Sequence, residues 1–229
     1  MAQMALPLKL ADHAIFDSFV ATGNEVPVAA LRDIASGAHA GAYLWGAPAS
    51  GKSHLLQAVC AEVGDRSVYV PLGAFAASGP AAIEGLARRD VICIDDLDAI
   101  AGDEDWELGL FRLYNDVLAR GARVVFAANL ALRETGIRLP DLASRLAQLP
   151  GYRLEALGDA GRVEALKLRA ELRGLELPEE TARYLLTHSR RDMASLYATL
   201  DRLDDEALRA QRKLTVPFVS GVLKRSFES

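Results

Sequence analysis

The sequence predicts an α/β fold in which a five-stranded, mainly parallel sheet carries helices on both faces and is followed by a small all-helical domain. Two observations lead to this prediction. Short apolar runs alternate with longer helical patterns up to about residue 157, and after Gly158 only helical periodicity remains. Fully apolar runs such as Val91 to Ile94 are typical of parallel strands, because helices cover both faces of such a sheet.

The same patterns place the individual elements. We expect strands at 42–45, 67–72, 91–96, 123–128 and 152–157, and helices at 51–63, 104–120 and 141–147. In the second domain we expect helices at 160–173, 179–188, 190–210 and 217–226. The chain is therefore divided into an N-terminal peptide (1–10), an α/β domain (11–157) and a helical domain (158–229), with the boundary inside 156–161.

Punctuating residues support the helical assignment of the second domain. Gly174 is suited to end the first of its helices, and Pro178 and Pro217 are suited to first helical turns. The stretch Ser189-Arg190-Arg191-Asp192 fits a capping box, in which the first and fourth side chains satisfy N–H groups at the start of a helix.

Composition and charge exclude several classes of protein. The chain is 51% hydrophobic and 25% charged, as expected for a globular protein with a sizeable core. Its net charge of −5 argues against strong direct DNA binding, which normally requires a basic face. No apolar run is long enough to span a bilayer, so we expect a cytoplasmic protein without membrane association.

Only two cysteines occur, Cys60 and Cys93, and both lie inside apolar runs. Buried, reduced thiols are expected at such positions, as in other proteins of a reducing compartment. The spacing of the two cysteines matches no metal-binding motif, so we expect neither a disulfide nor a metal site.

The strongest motif is a phosphate-binding loop of the pattern GxxxxGK[ST], which stands directly after the first predicted strand and before a helix. Its residues are Gly46, Ala47, Pro48, Ala49, Ser50, Gly51, Lys52 and Ser53, and we add the adjacent His54 to the nucleotide-binding set. The glycines allow backbone N–H groups to surround phosphates at a helix N-terminus. Lys52 is expected to reach the β- and γ-phosphates, and the Ser53 hydroxyl to ligate Mg²⁺.

Two further strands are expected to deliver polar side chains to the same edge of the sheet. Asp95 and Asp96 end the apolar strand at 91–96, where ligands of open α/β sheets bind, and Asp95 is expected to hold Mg²⁺ through water. Asp96 stands where many P-loop ATPases carry a longer glutamate, so ATP hydrolysis by this chain stays an open question. Asn129 is suited either to contact a γ-phosphate or to cap the following turn.

The ordered set of Lys52, Asp95 with Asp96, Asn129, Arg145 and Arg191 resembles an AAA+ module, a P-loop sheet with a helical lid. The stretch LPDLASRL resembles the arginine-finger box of the replication initiator DnaA and its relatives. By this resemblance, Arg145 faces a neighbour's nucleotide. Arg190-Arg191-Asp192-Met193 resembles the sensor 2 segment of the same family, which implies that Arg191 approaches the phosphates. Arginine suits both roles because it stays charged and can contact two phosphate oxygens.

Several stretches are similar to the Hda family, the regulatory inactivators of DnaA, over nearly the full length. They are LPDLASRL, GDE at 102–104 ahead of Trp106, and QRKLTVPFV at 211–219. The N-terminal QMALPL also resembles that family's motif for the replication sliding clamp. The resemblance implies that Gln3, Leu6, Pro7 and Leu8 engage a hydrophobic pocket on the clamp. Pro7 would favour an extended Leu6 and so reduce the entropy lost on binding.

This resemblance implies a function. A protein carrying ADP or ATP with Mg²⁺ docks on the DNA-loaded clamp, the β subunit of the polymerase, and meets ATP-bound DnaA. Arg145 then stimulates hydrolysis of the initiator's ATP in trans, which suppresses further initiation, while the chain's own ATPase is weak. The family implies that the stimulating form carries ADP and that 15–28 holds the adenine. A nucleotide-dependent homo-oligomer is a further partner that we expect.

Two other functions are left open by the residues. A self-contained AAA+ ATPase that loads or remodels a replication protein would depend on Lys52 and would use Arg145 between identical subunits. A non-catalytic clamp-binding adaptor would need Leu6 but not Arg145, and its nucleotide would serve only its structure. The intact phosphate loop fits the first alternative, and the N-terminal motif fits the second.

Overall fold

The computed structural model describes residues 14–190 and 192–227. It divides the chain into two compact units, Met1–Ala156 and Leu157–Ser229. Five residues to which the sequence assigns functions lie outside the described part: Gln3, Leu6, Pro7, Leu8 and Arg191.

The first unit contains a five-stranded sheet. Its strands are β1 (Gly41–Trp45), β2 (Ser67–Pro71), β3 (Val91–Asp95), β4 (Arg123–Ala128) and β5 (Gly151–Arg153). The order across the sheet is β2-β3-β4-β1-β5, and all four strand pairs are parallel. The predicted parallel sheet is thus confirmed, and β1 lies between the last two strands of the chain.

The fifth strand is shorter than the predicted 152–157. It pairs with β1 only over Gly151–Arg153, and Leu154 adds one further backbone bond to Trp45. The next residue, Glu155, is paired instead with the side chain of Asn24: its N–H donates to Asn24 Oδ1 (2.9 Å), and its carbonyl accepts from Asn24 Nδ2 (3.0 Å). An asparagine side chain therefore takes the place of a neighbouring strand, and the ladder ends.

Five α-helices surround the sheet: α1 (Glu25–Ser36), α2 (Lys52–Val63), α3 (Leu72–Phe75), α4 (Glu104–Ala119) and α5 (Pro140–Leu146). The sequence predicts neither α1 nor the single turn α3. Pro27 between two valines does not fit a helical pattern, although proline is tolerated in the first turn of a helix, and so the start of α1 was not predicted. Short 3₁₀ turns follow α3 between Ala76 and Arg88.

Alternate residues of each central strand face two separate apolar layers. Val91 and Cys93 of β3 pack with α1 and α2, whereas Ile92 and Ile94 pack with α4 and α5. All four side chains are fully buried. This two-sided burial explains why β3 is apolar throughout, and it confirms the prediction of helices on both faces. Cys60 and Cys93 are buried free thiols, as expected.

The second unit is all-helical. Its helices are α6 (Asp159–Leu172), α7 (Glu179–His188), α8 (Met193–Ala210) and α9 (Val216–Phe227), around a leucine-rich core. Gly174 has φ +72° just beyond α6, and its N–H donates to the Glu171 carbonyl, as expected for a helix-ending glycine. Pro217 lies in the first turn of α9, whereas Pro178 is the residue before α7, because its ψ of 146° is extended.

The start of α8 corrects the predicted capping box. Asp192 itself is the N-cap: it has an extended backbone (φ −75°, ψ 142°), and its carboxylate accepts the N–H of Ser195 at 2.8 Å. Ser189 is instead the extended residue that ends α7, with φ −128° and ψ 170°. The helix therefore begins at Met193 and not at residue 190.

Two properties are absent from the described residues. No helix within 14–190 and 192–227 is both long and apolar enough to cross a lipid bilayer. The same residues contain no group of three or more His, Cys, Asp or Glu side chains arranged to hold a metal ion.

Candidate nucleotide-binding site

The predicted phosphate-site residues meet at the carboxyl edge of the sheet. The loop Gly46–Ser53 follows β1, Asp95 ends β3, and Asn129 follows β4, which lies between those two strands. Because parallel strands end at one edge, three segments that are distant in the sequence come together. The structure thus brings the loop, the acidic pair and the asparagine into one place.

The backbone of the loop needs glycine at two positions. A Cβ atom on Gly46 would lie 2.4 Å from the carbonyl oxygen of Leu154, closer than any real contact. Gly51 has φ +97°, in the left-handed region, and directly precedes α2. These two constraints hold the loop tightly against the sheet and let its backbone curl at the start of a helix.

The loop has the donors that a phosphate group requires. The first N–H groups of α2 have no carbonyl partners within the helix, and the helix dipole adds partial positive charge there. The Ser50 hydroxyl is buried in the loop and has no hydrogen-bond partner among the described residues. The residues present therefore fit a nucleotide phosphate, which Gly46–Ser53 would hold.

Lys52 is held by a network that reaches across the sheet edge. Its ammonium donates to the carbonyls of Gly46 (2.8 Å) and Ala47 (3.0 Å) and to Asn129 Oδ1 (3.1 Å). Asn129 in turn is held by Asp98, which accepts its backbone N–H and its Nδ2, each at 2.7 Å. Lys52, Asn129 and Asp98 thus form one continuous hydrogen-bonded chain.

Burial and charge act on Lys52 in opposite directions. The side chain is 7% exposed, and this burial lowers the pKa of its ammonium. The carboxylates of Asp95, Asp98 and Asp96 favour the charged form and partly offset the effect of burial. The ammonium form of a lysine placed in this way is suited to an anionic ligand.

Asp95 is held by the neighbouring strand. It is 1% exposed, accepts the phenolic O–H of Tyr69 on β2 at 2.8 Å, and accepts the backbone N–H of Asp96 at 2.9 Å. Burial and the nearby Asp95 carboxylate both raise the pKa of Tyr69, which therefore stays a neutral donor. Tyr69 fixes the direction of the carboxylate that is expected to face Mg²⁺.

Asp96 has an unusual backbone and a perturbed carboxyl group. Its φ of 55° and ψ of 43° are left-handed, a conformation that aspartate tolerates better than most residues. Burial raises the pKa of its carboxyl, with further increases from Asp95 and Asp98, while Lys52 lowers it. A carboxylate with a raised pKa is a better proton acceptor near neutral pH.

His54 faces the segment before α1. Its Nε2 lies 3.0 Å from the Ile15 carbonyl and 3.2 Å from the Ser18 hydroxyl, and its ring meets that of Phe19 at 5.4 Å. Phe19 also lies where a Cβ on Gly51 would be, at 2.6 Å from its ring. His54 therefore joins the phosphate loop to the segment that the family resemblance links to adenine.

Arg145 is presented by the short helix α5. Leu142 and Leu146 on that helix are 0% and 1% exposed, so α5 is anchored in the core. Arg145 is partly buried, and its guanidinium makes no hydrogen bond or ion pair within the described part of the chain. Its charge acts on Tyr114, where it opposes the rise in pKa caused by burial.

Sequence reasoning missed two supports of this site. Asp98 stands in the same acidic run as Asp95 and Asp96, but no spacing rule marks a third carboxylate as the partner of an asparagine 31 residues later. Tyr69 looks like an ordinary β-strand residue, and its hydrogen bond to Asp95 depends on the neighbouring position of β2 and β3. The only sequence feature that pointed to either residue is the acidic run containing Asp98.

Two family models match the chain. Residues 42–129 match the AAA model, described as the ATPase family associated with various cellular activities. Residues 159–223 match the model for the Hda lid domain. The first match covers the strands that carry the phosphate loop, the acidic pair and Asn129, and the second covers the helical unit from the start of α6 into α9.

Solved structures share the fold at low sequence identity. Domain III of the Thermotoga maritima initiator DnaA is 20% identical with a TM-score of 0.78, covering 94% of this chain and 98% of that one. AMPPCP-bound DnaA from Aquifex aeolicus is 20% identical with a TM-score of 0.69, over 86% and 66% of the two chains. The Thermotoga maritima Holliday junction branch migration motor RuvB is 17% identical with a TM-score of 0.59, over 87% and 67%.

Proposed function

The chain is a DnaA-related AAA+ protein of the Hda type, and from this premise we propose that it is a negative regulator of bacterial replication initiation. In this proposal the protein carries a nucleotide, docks on the DNA-loaded sliding clamp, and stimulates hydrolysis of ATP bound to DnaA. The observation that carries the proposal is the position of Arg145 on a helix anchored in the core, where its guanidinium has no anionic partner among the described residues.

The nucleotide itself is expected at the carboxyl edge of the sheet. Gly46–Ser53 would hold its phosphates, Lys52 would add a charge, and Ser53 with Asp95 would hold Mg²⁺ through oxygen ligands. Mg²⁺ would supply charge neutralisation for the phosphates. AMPPCP in the Aquifex aeolicus DnaA structure is consistent with nucleotide binding by this fold.

Arg145 would act on the partner's nucleotide and not on the chain's own. An arginine supplied in trans stabilises the negative charge that develops on a transferred phosphoryl group, and in arginine-finger systems it accelerates hydrolysis by about 10³ to 10⁵. A guanidinium that forms no ion pair with the residues that the structure describes keeps its donors available for such a partner. The partial burial of Arg145 restricts its rotamers before the partner arrives.

Docking on the clamp is assigned to the N-terminal peptide by its sequence. Leu6 and Leu8 would fill a hydrophobic pocket, Pro7 would keep the peptide extended, and Gln3 would donate and accept amide hydrogen bonds. A clamp bound to this short peptide would concentrate the protein on DNA without a basic surface, which agrees with the net charge of −5.

The experiment measures ATP hydrolysis by ATP-loaded DnaA in the presence of DNA-loaded clamp. ADP-bound wild type is compared with Arg145→Ala and with the control Arg133→Ala, which removes an exposed arginine from a nearby 3₁₀ turn. We expect strong stimulation by wild type and by the control, and loss of at least nine-tenths of it in Arg145→Ala, since a finger contributes far more than a surface charge.

The clamp is tested in the same assay. Omission of the clamp, or the double change Leu6→Ala/Leu8→Ala, is expected to abolish stimulation while ADP binding is retained. Full stimulation by Arg145→Ala would favour the non-catalytic adaptor. Absence of stimulation by folded, ADP-bound wild type would contradict the proposal.

The second candidate, an ATPase that loads or remodels a replication protein, is favoured by one specific observation. Lys52, Asn129 and Asp98 form one hydrogen-bonded chain at the phosphate loop, an arrangement that is consistent with turnover of the chain's own nucleotide. This alternative predicts that Lys52→Ala abolishes function even when the protein is supplied in its ADP-bound form.

A further inference from the structure

Glu107 on α4 is a buried carboxylate that lies outside the nucleotide site. It is 1% exposed and accepts the backbone N–H groups of Gly102 (2.7 Å), Arg138 (3.0 Å to each oxygen) and Leu139 (2.6 Å). It forms no ion pair within 14–190 and 192–227. A charge is buried only where hydrogen bonds replace its water, so these backbone donors are what makes Glu107 tolerable in the core.

Two of the three donors stand directly before α5. Arg138 and Leu139 precede Pro140, the first residue of that helix, which has no N–H of its own. Leu139 is the N-cap of α5 and offers no side-chain cap. The acceptor for the backbone at this helix start is therefore supplied from α4, by Glu107.

The third donor joins the loop before α4 to the same carboxylate. Gly102 has φ +87°, and a Cβ there would lie 3.5 Å from the Arg138 guanidinium. The Arg138 side chain thus packs over Gly102 while the N–H groups of both residues point to Glu107. One carboxylate fixes two loops to each other and to α4.

Apolar packing alone would leave the position of α5 less well defined. Leu142 and Leu146 bury α5 in the core, but apolar contacts are non-directional and tolerate small shifts along a helix axis. Hydrogen bonds restrict both distance and angle. Arg145 lies between these leucines near the end of the two-turn helix, so any shift of α5 moves its guanidinium.

We propose that Glu107 is a positioning residue for Arg145: it fixes the start of α5 through the N–H groups of Arg138 and Leu139 and so sets where Arg145 meets the partner's nucleotide. This inference rests on the proposed function of Arg145. Displacement of a reacting group by about 1 Å can cost about 100-fold in rate. Loss of the Glu107 contacts is therefore expected to reduce catalysis in trans without removing any catalytic group.

The test compares Glu107→Gln with the control Glu104→Gln in the full chain. Glutamine keeps the shape of the side chain but replaces one accepting oxygen by an NH2 donor, which would face the backbone N–H groups that Glu107 accepts. Glu104 is an exposed glutamate on the same helix. We expect Glu107→Gln to lower the maximal rate of stimulated DnaA ATP hydrolysis about 10- to 100-fold at saturating protein. The concentration for half-maximal stimulation and the affinity for ADP should change less than about twofold.

Hydrogen exchange provides the second readout. In Glu107→Gln the amides of 136–147 are expected to exchange at least about tenfold faster, while those of α2 and β3 exchange as in wild type. Unchanged exchange at 136–147, or a wild-type maximal rate, would overturn the inference. If wild type itself gave no stimulation, the proposed function would fail, and exchange would still decide whether Glu107 holds α5.

A second variant covers the case in which Glu107→Gln does not fold. Glu107→Asp keeps the buried charge but shortens the side chain by about 1.5 Å, so it cannot reach all three donors. It is expected to reduce the maximal rate in the same way. A wild-type rate for Glu107→Asp would show that the charge, and not the reach to α5, is what matters, and would contradict the inference.

Discussion

Asn129 depends on Asp98 for the direction in which its side-chain amide points. Both carboxylate oxygens of Asp98 are engaged by Asn129, one by the backbone N–H and one by Nδ2. This leaves Asn129 Oδ1 directed to Lys52. The sequence offered two roles for Asn129, a phosphate contact or a turn cap, and the observed contacts put its side chain beside Lys52.

Asp98→Ala is expected to weaken ATP binding more than ADP binding. Hydrogen bonds to charged groups contribute about 1.5 to 3 kcal/mol, so a loss of about tenfold in ATP affinity is expected if Asn129 contacts the third phosphate. ADP affinity should fall only about twofold. Titration calorimetry with both nucleotides measures the ratio, and Asp116→Ala, an exposed aspartate on α4, is the matched control.

An equal loss of ATP and ADP affinity in Asp98→Ala would show that Asp98 serves the loop as a whole. Unchanged affinity for both nucleotides would contradict the role assigned to the hydrogen bonds that link Lys52, Asn129 and Asp98.

Residues whose chemistry follows from local sequence could be predicted, and residues whose partners are distant could not. The glycines, Lys52 and Ser53 belong to one contiguous motif, and their meeting at a helix start follows from it. Asp98 finds its partner 31 residues away, and Glu107 finds its partners 31 and 32 residues away. Such contacts depend on which strand and helix become neighbours, which periodicity does not reveal.

At the scale of elements, the start of α8 shows how a local pattern can fit two alignments. Ser189 and Asp192 are both good N-cap residues, and a helix from 190 or from 193 would satisfy the sequence. The described backbone selects Asp192 because Ser189 is extended and Asp192 accepts the Ser195 N–H. The position of a cap therefore depends on where the preceding helix ends.

Asp192→Ala is expected to destabilise the second unit by about 1 kcal/mol at pH 7, the usual value of an N-cap. The hydrogen bond from Ser195 lowers the pKa of the Asp192 carboxyl. Its contribution is therefore present above the ordinary aspartate pKa of about 3.9 and is lost as pH falls through its lower folded-state pKa. Hydrogen exchange of α8 amides in wild type and Asp192→Ala, compared at about pH 6 and at about pH 2, measures the difference, which should be present at the higher pH and largely lost at the lower one.

Asp205→Ala is the control, because Asp205 is an exposed aspartate within the same helix. It should leave the stability of α8 within about 0.5 kcal/mol of wild type. A similar loss in both variants would mean that total charge, and not the cap, stabilises α8.

At the scale of the whole molecule, the number of strands was predictable but their order was not. Apolar runs identify the central strands β1, β3 and β4, because these strands are buried on both faces of the sheet. The position of β1 between β4 and β5 follows from tertiary packing, and it is this order that brings the loop, Asp95 and Asn129 together. The length of the fifth strand was overestimated, because Glu155 pairs with the Asn24 side chain and not with a neighbouring strand.

The pairing of Asn24 with Glu155 also has a kinetic consequence. The two residues are 131 positions apart, so the contact closes a long loop, and we expect it to form after the intervening sheet. Contacts made after the transition state govern how fast a protein unfolds and hardly affect how fast it folds. Asn24→Ala is thus expected to unfold several-fold faster at an unchanged refolding rate in stopped-flow denaturant jumps, and slower refolding would show that the chain closes early.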